Sequence, residues 1–555
     1  MGSPVLGGAE MVQPRIRCND YGTLPVPEPG EWLPRKSVSV VIPAYRCDET
    51  LPLALASLAG QSYPSHLLEV VVVDTGGAVR LSGPGPVPER TRVVRVQDGG
   101  EGVNARQRGA AVAEGDVVHW LDADVVLDRE HIETQMRWHH LAGYLVVLGQ
   151  VRFHERRAGV FTASEVEAAV VSGTAAKLFG EDEGVPHQVM EMWERTGDLR
   201  QAGSDAFTGY VGTAASLPAD LFRSVGGLDV SLPLGHDAEF AFRLAQAGAV
   251  FVADRRSVCH HLGGSAAMRR RRESRRHTMP YITERIPHYR SLRNHPNRQY
   301  LVPNVEAVVD ASGRSAESVQ ATVNGLLAGR MSDVSVTLVG PWGLLAGEQR
   351  FPLDDPSADL RLIRESFRGE ARVRFAERPA ETAFPVPFRF TCPAGWVPRP
   401  DALERLLKFA DDNALGLVSL VLEEGEEMVA ARLERTAAVR RALLLAAPGE
   451  EIGDVMHQVS GTVWEDGLSW GLRPMGATDD EPAVDPEIER WKRKVRYWRR
   501  QARLLRRQLD RTPRGRIRGM VAEGLRLVRS RRQAPGPDPQ TADRAIRGGR
   551  RKIER

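Results

Sequence analysis

Asp122 and Asp124, one residue apart, close the apolar run Val117-Val118-His119-Trp120-Leu121. Alternate strand residues point to opposite faces, but a turn at the strand end lets both carboxylates approach one ion. Mg2+ and Mn2+ take such oxygen donors, commonly one or two carboxylates plus the phosphates of a substrate. A nucleotide diphosphate leaving group needs that positive charge as its bond to a sugar breaks; a solvated acidic turn has the same spelling. Asp74 ends the valine run 70–73 just before Gly76-Gly77, where a carboxylate suits a base or ribose and equally a tight turn. Asp237 follows His236 and opens a helical stretch containing Arg243. A carboxylate there can take the proton of an attacking hydroxyl or cap the helix. Glu239, two residues on, suits an acceptor or the helix start. His261, beyond the next strand, offers an imidazole to a metal site of mixed donors, and its neighbour His260 leaves room for only one of the two to face inward.

The elements that must position these groups alternate. Residues 38–43 read as a buried strand ended by proline, 48–61 as a helix capped by Asp48, and 70–73 as a second buried strand. A short strand (93–96), a small helix (104–114) and the strand before Asp122 follow. Near-continuous apolar strands separated by helices predict a mainly parallel sheet covered on both faces. Ligands of such sheets sit beyond the carboxyl ends of the strands, so Asp74 and the Asp122/Asp124 pair are expected to face one crevice. Residues 155–205 read as helical. Then come Gly209-Tyr210-Val211-Gly212, Gly226-Gly227-Leu228-Asp229 and the His236 helix, with a strand at 250–252 leading to Cys259-His260-His261. From about residue 300 the pattern starts again, and 300–475 is expected to be a degenerate α/β copy in which Thr391 and Cys392 stand where the aspartates were.

The expected domains are a leader (1–36, Gly/Pro-rich and partly disordered), a catalytic unit (37–299), the copy (300–475), a linker (476–486), basic helices (487–530) and a disordered tail (531–555). Over 488–509, Ile488, Trp491, Val495, Trp498, Ala502, Leu505 and Leu509 recur at spacings of three and four, a heptad seam among arginines and lysines. It predicts self-association or contact with an anionic membrane surface. A net charge of only +3 over 555 residues argues against a chain-wide nucleic-acid binder. Four scattered cysteines form no C-x-x-C pair, which fits a reducing cytosol rather than a disulfide framework. The N-terminus has no signal-peptide pattern, and no apolar run approaches the ~20 residues of a membrane helix. The chain is therefore expected in the cytoplasm, or peripherally at the inner face of the plasma membrane.

The order of these segments resembles family 2 of the glycosyltransferases, enzymes of GT-A fold that use nucleotide-diphospho-sugars. Residues 38–45 (VSVVIPAY) resemble the family's opening strand, and Gln61-Ser62-Tyr63-Pro64 followed by 69–74 its Q-x-Y-P…V-V-D segment. Residues 104–115 (NARQRGAAVAEG) are similar to its A-R-N-x-G stretch, 121–124 (LDAD) to its metal motif, and 226–229 with 236–244 (HDAEFAFRL) to its acceptor segment. The resemblance covers about 37–265. It implies an α/β GT-A domain in which Pro43, Tyr45, Asp74, Arg106 and Asp122 line the nucleotide site. Asp122, Asp124 and His261 would hold Mn2+ or Mg2+, Asp237 would be the base of an inverting transfer to a hydroxyl, and Glu239 and Gly209 would lie toward the acceptor. The wider arrangement is similar to large actinobacterial members with a degenerate second copy, whose acceptors would be envelope polysaccharides or glycolipids. Thr75, Gln107 and His236 depart from the usual motif residues and leave the donor sugar open. Two other readings compete: a scaffold for envelope-glycan assembly, and a nucleotidyltransferase. The latter lacks its Gly-rich basic loop here, since 44–47 reads Ala-Tyr-Arg-Cys.

Overall fold

A computed structural model of the protein describes residues 13–477, apart from residues 78, 80–84, 97–101, 156–159, 181–183, 233, 265–268, 293–297, 347–351 and 424–427. The heptad seam, the basic helices and the tail lie outside the described residues.

The first half is built from β1 (Val38–Ala44), α1 (Leu51–Ala59), β2 (Leu68–Asp74), β3 (Thr91–Arg95), α2 (Val103–Val112), β4 (Val117–Trp120), β5 (Val125–Leu127), α3 (His131–His139), β6 (Leu145–His154), α4 (Ala163–Val171), β7 (Val185–Pro186), α5 (Met190–Arg195), β8 (Ala215–Pro218), α6 (Ala219–Ser224), α7 (His236–Gln246), β9 (Val250–Leu262) and α8 (Arg271–Arg285). Every residue of β2 and β4 is buried, as their unbroken apolar runs require of strands covered on both faces. The strands order as β3-β2-β1-β4-β8-β6-β9-β5, with β7 on β6. β3, β2, β1 and β4 run parallel. β8 is antiparallel to both β4 and β6, and β9 returns parallel to β6. The expected strand at 250–252 is thus only the start of β9, whose far end pairs antiparallel with β5 and sets Val125 opposite His261. Helix α1 begins after Thr50 rather than at Asp48, with no side-chain cap. Two apolar clusters fill the two faces, one around Trp120, Phe222, Phe240 and Phe251, the other around Ile42, Leu55, Val72 and Leu121.

The second half contains β10 (Val305–Asp310), α9 (Ala316–Leu327), β11 (Val334–Val339), α10 (Ala358–Phe367), β12 (Val373–Ala376), β13 (Phe388–Thr391), β14 (Trp396–Pro398), α11 (Ala402–Asp412), β15 (Leu415–Glu423), β16 (Val429–Arg435), α12 (Thr436–Leu445), α13 (Ile452–Val459), β17 (Gly461–Asp466) and β18 (Leu472–Pro474). Its sheet order, β12-β11-β10-β13-β16-β15-β17, has the same sequence of parallel and antiparallel neighbours as β3-β2-β1-β4-β8-β6-β9. A short antiparallel pair, β14 with β18, corresponds to β5 with the end of β9.

Residues 13–36, expected to be an irregular leader, are irregular but anchored. Ile16 and Tyr21 are buried. Asn19 donates to Leu199 O and Phe251 O, at 2.9 and 2.8 Å, and accepts from Phe251 N at 2.8 Å. Arg441 of α12, itself buried, donates to Ile16 O, Cys18 O, Gly248 O and Ala249 O. One guanidinium thereby joins the N-terminal segment, the turn before β9 and the second half. Among the described residues, no helix is long and apolar enough to cross a membrane.

Candidate active site

Strand ends collect the acidic residues. Leu121 N donates to Val41 O at 3.2 Å, so β4 stays in register with β1 until the chain turns at Asp122. Asp124 stands just before β5, and its carbonyl accepts from Leu262 N at 2.8 Å. That pairing sets it beside His261, with Nε2 of the histidine 3.5 Å from Oδ1 of the aspartate. One ligand atom each from Asp122, Asp124 and His261 lies within 4.8 Å of the others.

Arg106 ties this trio to Asp237. It sits on α2, which approaches the sheet closely because residue 109 is glycine; a Cβ there would overlap Val41 and Val73. The buried guanidinium donates to Asp122 Oδ1 at 2.6 Å and to Asp237 Oδ1 at 3.3 Å. Burial works against its charge, but Asp122 and Asp237 more than offset that and raise its pKa. Burial likewise opposes charge on Asp122, and Arg106 with the Thr213 hydroxyl outweighs it, so the carboxyl titrates below its usual range. Asp237 opens α7 behind Gly235, which adopts the left-handed conformation (φ 84°) that glycine reaches at little cost. Asp237 Oδ2 accepts from Gly212 N at 3.3 Å. With its side chain 38% exposed, it is within reach of a bound molecule.

Two carboxylates and one imidazole are a donor set that suits Mn2+ or Mg2+. Each Asp122 oxygen accepts one protein hydrogen bond and retains a lone pair. The buried Nδ1 of His261 has no hydrogen-bond partner among the described residues. These residues fit such an ion.

The other expected site residues divide. Tyr45 is exposed on the β1 end, and its ring lies 3.6 Å from where a Cβ on Gly76 would stand. Pro43 precedes it on β1. Asp74 is buried and spends its carboxylate on its own turn, accepting from Gly76 N, Gly77 N and Val79 N at 3.0, 2.7 and 3.2 Å. Glu239 is buried and grips Arg243 through two bonds, of 2.5 and 2.7 Å, while Arg243 holds Val225 O and Gly227 O. Gly209 is buried against Leu199 and Trp193. Neither Glu239 nor Gly209 touches the Asp122–Arg106–Asp237 cluster through any hydrogen bond. Two residues at the site carry no sequence signal of their own, Thr213 and His187, while Gly212 is marked only as the end of the Gly209–Gly212 run. The Phe153 ring lies between His187 and His261, with centroids at 5.8 and 5.0 Å. Burial lowers the His187 pKa against the pull of Asp237.

Residues 39–167 match the model of glycosyl transferase family 2; the matched span holds Arg106, Asp122 and Asp124 and ends before Asp237 and His261. No curated protein matches the chain. Among solved structures, S. aureus TarS 1-349 in complex with UDP-GlcNAc is 15% identical, with 41% of this chain and 59% of that one covered, at a TM-score of 0.30. The mannosyltransferase PcManGT from Pyrobaculum calidifontis, in complex with GDP-Man and Mn2+, is 18% identical, with 47% and 65% covered, also at 0.30. The chain thus spans less than two thirds of either structure.

Proposed function

We propose that the protein, whose residues 39–167 match the model of glycosyl transferase family 2, transfers a sugar from a nucleoside diphosphate donor to a hydroxyl acceptor in one inverting displacement. The observation that carries this is Arg106. It joins a metal-type trio on one side to a single reachable carboxylate, Asp237, on the other. Asp122, Asp124 and His261 would hold Mn2+ or Mg2+, which when bound supplies positive charge to the departing diphosphate. Asp237 takes the acceptor hydroxyl proton as that oxygen bonds to the anomeric carbon, and the bonding pair of the old C–O bond leaves with the diphosphate. Gly212 N and Arg106 keep the base aimed. Tyr45 and Pro43 border the nucleotide, and Asp74 acts indirectly, by shaping the loop that follows β2.

In this reading the second half is a silent copy. Strand register equates Asp74, Asp122, Asp124 and His261 with Gly340, Pro393, Gly395 and Pro474. In that alignment Pro393 and Gly395, rather than Thr391 and Cys392, fall opposite the two aspartates. None of the four replacements offers a side-chain ligand. An acceptor in the cell envelope, met at the inner face of the plasma membrane, is favoured by the basic heptad sequence at 488–509.

A binding screen of nucleotide-sugars against the full chain, with and without Mn2+, tests the proposal. Metal-dependent binding of one diphospho-sugar is expected, and failure of every donor to bind would overturn it.

A further inference from the structure

Residues 269–277 read RRRRESRRH, six arginines against one acid. Arg270 pairs with Glu273, and Arg269 donates to Gly264 O. Arg271, Arg272, Arg275 and Arg276 are exposed and have no acidic partner among the described residues. So concentrated an unpaired charge on one short segment calls for an anion.

Its place is specific. Gly264 lies three residues beyond His261, and its carbonyl accepts from Arg269, two residues before α8. Farther along, Thr278 and Ile282 press on Gly235, where a Cβ would overlap both, two residues from Asp237. Arg285 closes the helix onto Asp229 at 2.9 Å. Residues 271, 275, 278, 282 and 285 follow one another at spacings of four and three, a single stripe of a helix. Arg271 and Arg275 therefore continue the stripe that meets Gly235, two turns and one turn before that contact, which itself lies two residues from Asp237. Four residues of helix advance ~6 Å, so the row presents cations at about that interval. A lone diphosphate beside a divalent ion has no need of four further cations.

Resting on the transferase reading, we infer that the acceptor is a polyanion, a hydroxyl-bearing chain with repeating phosphate-type charges, seated along the Arg271/Arg275 face of α8. Guanidinium forks grip such groups bidentately. A membrane is the weaker partner for this helix, because surface insertion needs an exposed apolar face. Here the apolar Met279 and Ile282 turn inward, and only Pro280 and Tyr281 interrupt the exposed charge.

The test compares the full chain with its Arg271→Glu/Arg275→Glu variant. Three probes are titrated: short-chain inorganic polyphosphate, UDP or GDP with Mn2+, and vesicles containing anionic phospholipid. The exposed substitutions leave the fold intact, which retained nucleotide binding verifies. Polyphosphate affinity is expected to fall about tenfold or more, with the salt dependence of log K reduced by about two, while nucleotide affinity is unchanged. Unchanged polyphosphate binding would overturn the inference, as would a loss confined to vesicles, which assigns the face to a membrane. A loss confined to the nucleotides would also overturn it, giving the arginines to the donor. If the wild-type chain binds no nucleotide yet shows the polyphosphate difference, the transferase reading fails separately from the anion site.

Discussion

At the residue scale the site is a chain of charges, Asp124–His261, Asp122, Arg106 and Asp237, in which each member can be removed alone. Asp237→Asn keeps the shape and a hydrogen-bond acceptor but cannot take a proton. Transfer should fall by roughly 10²–10⁴ while donor binding, measured by titration, survives. Equal turnover in this variant would remove Asp237 from the mechanism. Asp124→Ala deletes one of two carboxylates from the metal-type trio, and the Mn2+-dependent part of donor affinity should disappear with it. Donor binding that still responds to Mn2+ would place the ion elsewhere. The two variants separate the donor and acceptor sides of the site, because Arg106 touches Asp237 and Asp122 but no bond runs from it to Asp124. The types and spacings of Asp122, Asp124, Asp237 and His261 were legible in sequence, since each stands at a strand or helix end marked by its apolar run. Thr213 and His187 were not, and Gly212 was visible only as part of the Gly-Tyr-Val-Gly run. Their types are ordinary, and only tertiary proximity gives them a part.

At the element scale, α2 shows how an apolar face and one glycine place a charged side chain. Gly109→Ala would drive a methyl into Val41 and Val73, lifting α2 and swinging Arg106 off its carboxylates. A stability loss of about 1–3 kcal/mol is expected from the overpacking, with a fall in activity larger than that loss explains. Denaturant unfolding and a rate assay check the two parts. Helix α3 makes a different point, for all nine of its residues are buried, including two histidines. Burial pulls His131 down to about 4 and His139 to about 3, against ~6.5 in an unfolded chain. The unfolded state therefore takes up protons first on acidification. Their contribution is complete above about pH 6.5 and is lost as pH falls toward 4, by up to about 1.4 kcal/mol per pH unit for each histidine. Urea midpoints measured between about pH 7.5 and 5 should drop accordingly. A flat profile would mean that α3 is solvated. The strands and most helices were legible from periodicity. What periodicity could not supply was register: the apolar run that ends at Cys392 gives no sign that its turn residues are Pro393 and Gly395, because only strand pairing counts positions across the sheet.

At the scale of the whole molecule, the two α/β halves are fastened through the N-terminal segment. Arg441→Met would leave four backbone carbonyls without their donor in a place closed to water. A cost of about 3 kcal/mol or more is expected, seen as a lower thermal midpoint of the full chain; an unchanged midpoint would show that water replaces the guanidinium. The fastening escaped sequence reading because it is made by backbone groups of a segment without periodicity, and no side-chain pattern announces a carbonyl. Its consequence concerns time. Residues 13–36 leave the ribosome long before the second half, yet Cys18 N donates to Val459 O and Ile16 O accepts from Arg441 of α12. Those two bonds must wait until more than four hundred further residues have been translated, although Asn19 can pair with Phe251 well before then. At ~5–20 residues per second that delay is tens of seconds, and for the later part of it the apolar surface of Ile16, Val250 and Val252 that α12 and α13 come to cover is open to other chains. A ribosome-bound intermediate stalled near residue 300 should therefore be the species that recruits chaperones, and the finished chain should not.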